Sequence, residues 1–379
     1  MDDKHADKAM HLTTLGVSQV ARFERLGYTS DLENTISNGQ EAVRLTDDSH
    51  PSKLTYLVNL GIIQRTRFEH IRCLPDLEHS ISNLREAVQL TDDDHPEKPA
   101  YISNLGLSQL ARYKHLGRLC DLDNAISNQA KAVELVDDNS RYKAGIHSNL
   151  GISQRLHLNA FPDLNNAIFN INKAIEHADT ECQSKALYLL NLGITHQARF
   201  KLLAENADYV TSVTSFKAAA QLKVASPRLA LAVAREWATE SHLHNDLISA
   251  LDGYYKALEL LPRLAWLGLG QSLRQDWLRR EKTDSLSCLS AASCAIRLGR
   301  LDKVVELLDL GRSVLWQQAS SLRSDLEILR RDEPRLAEEL ERVGRLIDAG
   351  NFSDFTFTAG EYDGRINEEQ KALKRNVVG

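Results

Sequence analysis

The dipeptide Leu-Gly recurs at Leu15-Gly16, Leu60-Gly61, Leu105-Gly106, Leu150-Gly151 and Leu192-Gly193, at intervals of 45, 45, 45 and 42 residues. A chain that copies one unit at such a period folds as an array, because a lone unit of this length cannot bury both of its faces. A second landmark follows each glycine: Asp31-Leu32, Asp76-Leu77, Asp121-Leu122, Asp163-Leu164 and the altered Asp208-Tyr209. It lies 15 residues after the glycine except in the fourth unit, where it lies 12 after, so the three-residue loss falls where a loop tolerates it.

Within a unit, Leu105-Gly106-Leu107-Ser108-Gln109-Leu110-Ala111-Arg112-Tyr113 places apolar or small residues at helical spacing. Leu122, Ala125, Ile126, Ala132, Val133 and Leu135 do so again, so each unit reads as a helical hairpin. The aspartate that opens the second helix is expected to act as its N-cap, its carboxylate accepting from the free amides of the first turn. Asp47-Asp48-Ser49-His50-Pro51 and Asp92-Asp93-Asp94-His95-Pro96 then break the chain between units. A glycine inside a helix costs roughly 1 kcal/mol against alanine, so the glycines from Gly16 to Gly193 call for a close approach of two helices. The expected fold is all-α, a right-handed α-solenoid of six to seven hairpins whose inner wall is made mainly by the first helices.

The period divides the chain into an N-terminal tail (1–6), the repeats (7–262, five long units and a sixth shorter one), divergent C-terminal helices (263–350) and a polar tail (351–379). The C-terminal helices are expected over Ser285 to Leu298, Arg300 to about Arg331, and Pro334 to about Ala349. A net charge of -6 gives no broad basic surface for phosphates, which argues against nucleic acid as a partner. No stretch approaches eighteen uninterrupted apolar residues, and the polar start is unlike a signal peptide, so the sequence reads as cytoplasmic or nuclear and not bound to a membrane. The five cysteines form no CxxC pair, which fits a reducing compartment.

These features resemble tetratricopeptide repeats. The clearest match is Ala250-x3-Tyr254-x2-Ala257-x4-Pro262, the small, aromatic, small, proline pattern of that family's second helix, with Trp237 and Ala238 about where its Leu-Gly pair would fall. The earlier units carry the second alanine (Ala42, Ala87, Ala132, Ala174, Ala219) but run to 42 to 45 residues, and the extra length is expected in the loops between and after the helices. The stretch from Leu298 to Trp316, followed by Leu322 to Leu326, together with the Leu-Gly, Ala-Arg-Phe, Asp-Leu and Thr-Asp-Asp-x-His-Pro elements, resembles fungal tetratricopeptide proteins that carry a C-terminal caspase-like CHAT domain. In that family a protease-like domain with a His and Cys dyad would follow. This chain ends at Gly379, so the resemblance carries no peptidase activity over to it.

Two rows of polar residues are candidate partner-binding positions. Asn59, Asn104, Asn149 and Asn191, with Thr14 in the first unit, precede the Leu-Gly pairs. A side-chain amide both donates and accepts, so a row of them suits the backbone of an extended peptide. The resemblance implies the same role for this position. The competing reading has each asparagine tie adjacent helices together or face water. Arg22, Arg67, Arg112 and Arg199, with His157 in the fourth unit, form the second row. They read either as clamps for acidic groups or as partners of the Asp runs in a neighbouring repeat. The aromatics beside them, Phe23, Phe68, Tyr113 and Phe200, read as core.

No arrangement calls for a catalytic, cofactor or metal site. His50 with His95, and His70 with His115, recur by copying, and His242-x-His244 lacks further ligands at metal spacing. The Asp clusters lack the glycine and terminal glutamate of a calcium loop. Gly268-Leu269-Gly270 has no preceding strand to make it a phosphate loop. The expectation is a non-enzymatic scaffold that binds a protein or peptide, with self-association through the C-terminal end also open. The alternative is the regulatory arm of a CHAT-type protease.

Overall fold

The computed structural model describes residues 3–157, 161–179, 182–264, 283–312, 330–331 and 333–353. Among these residues there are fifteen α-helices and no strand. The chain divides into two units, Met1–Ala225 and Ser226–Gly379. The division falls before the sixth hairpin, which the sequence period groups with the first five.

The first unit holds ten helices: α1 (Asp3–Leu26), α2 (Thr29–Leu45), α3 (Lys53–Ile71), α4 (Leu74–Leu90), α5 (Lys98–Leu116), α6 (Leu119–Leu135), α7 (Lys143–Leu156), α8 (Phe161–His177), α9 (Ser184–Leu203) and α10 (Asn206–Gln221). They pack as five consecutive hairpins, and each second helix also packs on the first helix of the next hairpin. The second unit holds α11 (Pro227–Leu243), α12 (Leu247–Leu264), α13 (Thr283–Arg297), α14 (Leu301–Arg312) and α15 (Pro334–Ser353). In it, α11 pairs with α12 and α13 with α14, and α12 also packs on α13. The α13 and α14 pair gives the divergent seventh hairpin. Helix α15 runs past Gly350 to Ser353, further than the sequence pattern suggests. The expected helical stretch from residue 313 to 329, the Gly268 to Gly270 segment and the tail from 354 lie outside the described residues.

The added length of the long units is only partly where the sequence placed it. The turn inside a hairpin is two residues, Arg72 and Cys73 between α3 and α4, or Gly117 and Arg118 between α5 and α6. The length goes instead into the helices, 19 and 17 residues in the second and third hairpins, and into the exit loops. Each of these turns is closed by a left-handed residue, Arg72 at φ 63° and Gly117 at φ 69°.

The exit loops explain two repeated residue types. His50 Nδ1 accepts from the Ser52 backbone amide at 3.1 Å, and His95 Nδ1 from that of Glu97 at 3.2 Å. The buried Lys53 ammonium donates to the carbonyls of Val43 (3.0 Å) and Thr46 (2.9 Å), and Lys98 donates to that of Thr91 (2.7 Å). Each lysine thus satisfies open carbonyls at the end of the preceding second helix.

Packing also explains the recurrent small residues. Ala42, Ala87, Ala132, Ala174 and Ala219 are fully buried. A Cβ added at Gly61 would lie 2.7 Å from Leu84 Cγ, at Gly106 2.8 Å from Gln129 Cγ, and at Gly151 2.6 Å from Ile171 Cγ1. At Gly193 it would run into the Phe216 ring. In four successive hairpins, therefore, the residue eight after the aspartate lies over the glycine of the partner helix. In the third hairpin this residue is Gln129, fully buried, with neither its amide nitrogen nor its oxygen hydrogen-bonded. Its neighbours in the row are Leu84 and Ile171, so the space suits an aliphatic chain. Gln129→Leu is expected to raise stability by about 1 to 3 kcal/mol, by removing two unpaired buried polar groups. Urea unfolding of the two proteins measures this, and an unchanged or lower midpoint would contradict it.

Candidate partner-binding face

In the first unit the first helices of successive hairpins touch, α3 with α5, α5 with α7 and α7 with α9. The second helices do not approach one another in this way, so within this unit the first helices line the inner side. Asn59, Asn104, Asn149 and Asn191 lie on these helices at equivalent positions, and their environments differ. Asn59 on α3 is exposed, Asn104 on α5 and Asn149 on α7 are half-buried, and Asn191 on α9 is buried. Asn104 Nδ2 donates to the Ala100 carbonyl of its own helix at 3.0 Å. Asn149 Nδ2 donates to Ser103 Oγ on the preceding first helix at 3.0 Å, which is the helix-tying role at that one position. Asn191 Nδ2 is buried without a hydrogen-bond partner. Thr14, the counterpart on α1, is exposed and donates to the Met10 carbonyl at 3.0 Å.

Three residues after each of these positions, and so on the same helical face, stands an aliphatic residue: Val17, Ile62, Leu107, Ile152 and Ile194. Val17 is exposed and the other four are half-buried. Amide and aliphatic rows therefore run side by side along the first helices. The aliphatic row is legible in the sequence as a 45-residue recurrence, but its partial exposure is not.

The arginine row has a different role from the one expected. Arg22 pairs with Asp31, Arg67 with Asp76, Arg112 with Asp121 and Arg199 with Asp208, in each case the aspartate of the same hairpin. In all four pairs two guanidinium nitrogens bond to the carboxylate, the fork geometry that suits arginine. Two of them reach back to the preceding hairpin as well: Arg112 Nη1 to Glu78 at 2.8 Å and Arg199 Nη1 to Asn165 at 2.7 Å. His157 takes the same slot in the fourth hairpin, 2.8 Å from Asp163 and 3.6 Å from Asp123. The guanidiniums thus join helices and are committed inside the protein, and the Asp runs of the exit loops are not their partners. The aspartates are correspondingly not N-caps. Those positions fall to Tyr28, Cys73, Arg118 and Glu205, none with a side-chain cap bond. The aspartates sit within the first turn, buried, where both the arginine and the positive end of the helix stabilise them. The hydrogen bond from Arg22 holds the Asp31 carboxyl below its ordinary range. For Asp208 burial pushes the other way, but the bonds from Arg199 and His196 outweigh it and the net shift is downward.

A further pair of rows went unread in the sequence. Asn38, Asn83, Asn128 and Asn170 on the second helices donate to Gln19, Gln64, Gln109 and Gln154 on the first, at 2.8 to 3.2 Å. The signal was available in the first four hairpins as a glutamine three residues after the glycine and an asparagine seven after the aspartate, replaced in the fifth by His196 and Ser215. His70 and His115 also recur for packing, lying edge-on to Phe23 and Phe68 of the preceding hairpin at 4.8 and 5.2 Å.

The same first helices also carry cations. Burial lowers the pKa of Arg65 on α3, of Lys114 on α5 and of Arg155 on α7. Arg155 also repels Lys114, which Glu69 partly offsets. Arg65 Nη1 and Arg155 Nε are buried and have no hydrogen-bond partner among the described residues.

In the second unit, Cys294 Sγ lies 3.5 Å from His242 Nδ1, an approach the sequence did not suggest. The thiol is fully buried and burial pushes its pKa up, the opposite of what a nucleophilic thiolate requires. His242 also contacts the Tyr254 hydroxyl at 3.2 Å, and His244 lies 3.3 Å from Glu240. Among the described residues no group of three His, Cys, Asp or Glu side chains is placed to hold a metal ion. No described helix is long and apolar enough to cross a membrane.

No protein-family model matches the sequence, and no curated protein matches it. Solved structures of helical-repeat proteins resemble the fold at low identity. A tetratricopeptide repeat protein from Parabacteroides merdae aligns at 14% identity and TM-score 0.39, over 79% of this chain and 99% of its own. A signal transduction ATPase with a tetratricopeptide repeat sensor from Pyrococcus horikoshii aligns at 16% identity and TM-score 0.48, over 97% of this chain and 47% of its own. The TPR2AB domain of yeast Sti1, in complex with an Hsp90 peptide, aligns at 15% identity and TM-score 0.24, over 80% of this chain and 96% of its own.

Proposed function

We propose that the chain is a protein-interaction scaffold that holds an extended peptide segment along the first helices of its N-terminal unit. The observation that carries this reading is the pairing of two rows in one register: an asparagine, and three residues later an aliphatic side chain that packing leaves partly open. An amide row beside an aliphatic row can hold a peptide backbone and take its side chains together. The half-buried cations Arg65 and Arg155, each with a buried guanidinium nitrogen that makes no hydrogen bond, favour a segment with acidic side chains at the middle hairpins, where Glu69, 3.8 Å from Arg65 Nε, is the one nearby carboxylate of this pair among the described ion pairs. The arginine row is left out of the binding surface, since its guanidiniums are already paired.

The test is selection of a phage-displayed random dodecapeptide library on the immobilised protein. The wild-type chain is expected to enrich a peptide consensus. The double variant Asn59→Ala with Asn104→Ala is expected to lose it while keeping its far-UV helical signal. Equal enrichment by the double variant would refute the asparagine role, and no enrichment by the wild type would refute peptide binding. The regulatory-arm reading rests on sequence resemblance alone; the segment that carries it, 298–326, is described only as far as Arg312.

A further inference from the structure

The repeats provide an internal standard against which one position is anomalous. Eight residues after the aspartate the hairpins carry Gly39, Leu84, Gln129, Ile171 and Phe216 in turn. In the last four, the side chain fills the space over the partner glycine. In the first hairpin Gly39 brings no side chain of its own: Gly16 faces Thr35, whose Cγ2 would lie 3.1 Å from an added Cβ, and a Cβ added at Gly39 would lie 3.1 Å from Leu60 Cδ1 of the next hairpin. The space remains open as a cavity of about 320 Å³ between α1, α2 and α3, lined among others by Leu12, Val20, Gly39, Asn59, Leu60 and Ile63. Its walls are mostly aliphatic. A cavity of roughly 150 Å³ already takes a benzene ring, so this one has room for an aromatic side chain.

Two further facts set this space apart from a packing defect. Gly39 lies in the interior of α2, with ordinary negative φ, so no turn or cap requires it. A leucine at the equivalent position of the next hairpin packs without exposure. The cavity also meets the proposed binding face, because Val17, Asn59 and Ile62, members of its amide and aliphatic rows, line the wall.

We infer that this cavity is a side-chain pocket of the binding face, taking one leucine-sized or aromatic side chain of a bound extended peptide whose backbone runs past Asn59. The inference rests on the peptide-binding reading above. It adds the position at which the peptide is read by shape, where the glycine in the first hairpin leaves a hole that the other hairpins fill for themselves.

The experiment repeats the phage selection with Gly39→Leu, and with Val20→Phe, which fills the same space from α1. The wild-type consensus is expected to contain a fixed Leu, Ile, Phe or Trp. A synthetic peptide with that residue is expected to bind each filled variant about tenfold to a hundredfold more weakly, the loss that corresponds to one unburied apolar side chain. Gly39→Leu should keep the far-UV helical signal of the wild type, with Leu60, whose Cδ1 would lie 3.1 Å from the added Cβ, shifting to admit it. A consensus without a fixed apolar residue, or equal affinity for wild type and both filled variants, would overturn the pocket while leaving peptide binding intact. No enrichment by the wild type removes both. A concentration-dependent dimer that dissociates in Gly39→Leu would also overturn it, because the occupant would then be a second copy of this chain.

Discussion

Arg112→Met is expected to lower stability by about 3 to 4 kcal/mol, because it leaves the Asp121 carboxylate in the interior without its counter-charge. Asp121 is 1% exposed and receives both arms of the guanidinium, at 2.6 and 3.0 Å. The third nitrogen of the same guanidinium reaches Glu78 in the preceding hairpin, so one substitution loosens both a hairpin and its junction with the one before it. Methionine keeps most of the aliphatic stem, which separates loss of charge from loss of packing. Replacing both partners, Arg112→Met with Asp121→Leu, should recover much of the loss, since a buried pair exchanged for apolar groups is often close to neutral. Urea unfolding of the two single variants and the double variant gives the coupling. An Arg112→Met protein within about 0.5 kcal/mol of wild type would show that the pair is idle, as many exposed pairs are.

Gly253→Ala should be nearly as damaging, at about 2 to 3 kcal/mol, although it adds one methyl group. The new Cβ would lie 2.8 Å from the Ala238 amide nitrogen, 2.9 Å from its Cα and 3.0 Å from its Cβ. Backbone cannot rotate aside as a side chain can, so α11 and α12 would have to separate. Gly145 on α7 is the control, because a Cβ there meets only the Tyr188 hydroxyl at 3.7 Å. Gly145→Ala should therefore leave stability unchanged or raise it by up to ~1 kcal/mol through helix propensity. Thermal unfolding followed by far-UV circular dichroism distinguishes the two. If both substitutions act alike, the distances at Gly253 are not limiting.

Much of the fold was legible because copying makes a pattern visible even where single residues are ambiguous. The glycines from Gly61 to Gly193 were read as points of close helix approach, and each lies under the residue eight after the aspartate. Of the four aromatics read as core, Phe23 and Phe68 are buried, whereas Tyr113 and Phe200 are only half-buried. The same copying concealed roles, since a repeated aspartate looks like an N-cap whether its carboxylate turns to its own helix or to an arginine 9 residues earlier. The Asn and Gln rows that join the two helices of a hairpin were passed over for this reason, because only the packing brings residues 19 apart into contact.

By itself the sequence determined the periodic content: the number of long hairpins, their order, and which positions are small or apolar, because these follow from spacing along the chain. The tertiary structure decided what the polar residues do. Whether an arginine is free or paired, whether Asn59 is open while Asn191 is covered, and whether Gly39 leaves a hole or a tight crossing depend on what the next hairpin places opposite, which spacing alone does not encode. The extra length of the repeats shows the same division. The sequence set it at 42 to 45 residues, and the pairing of long helices across two-residue turns put it into the helices as well as the exit loops.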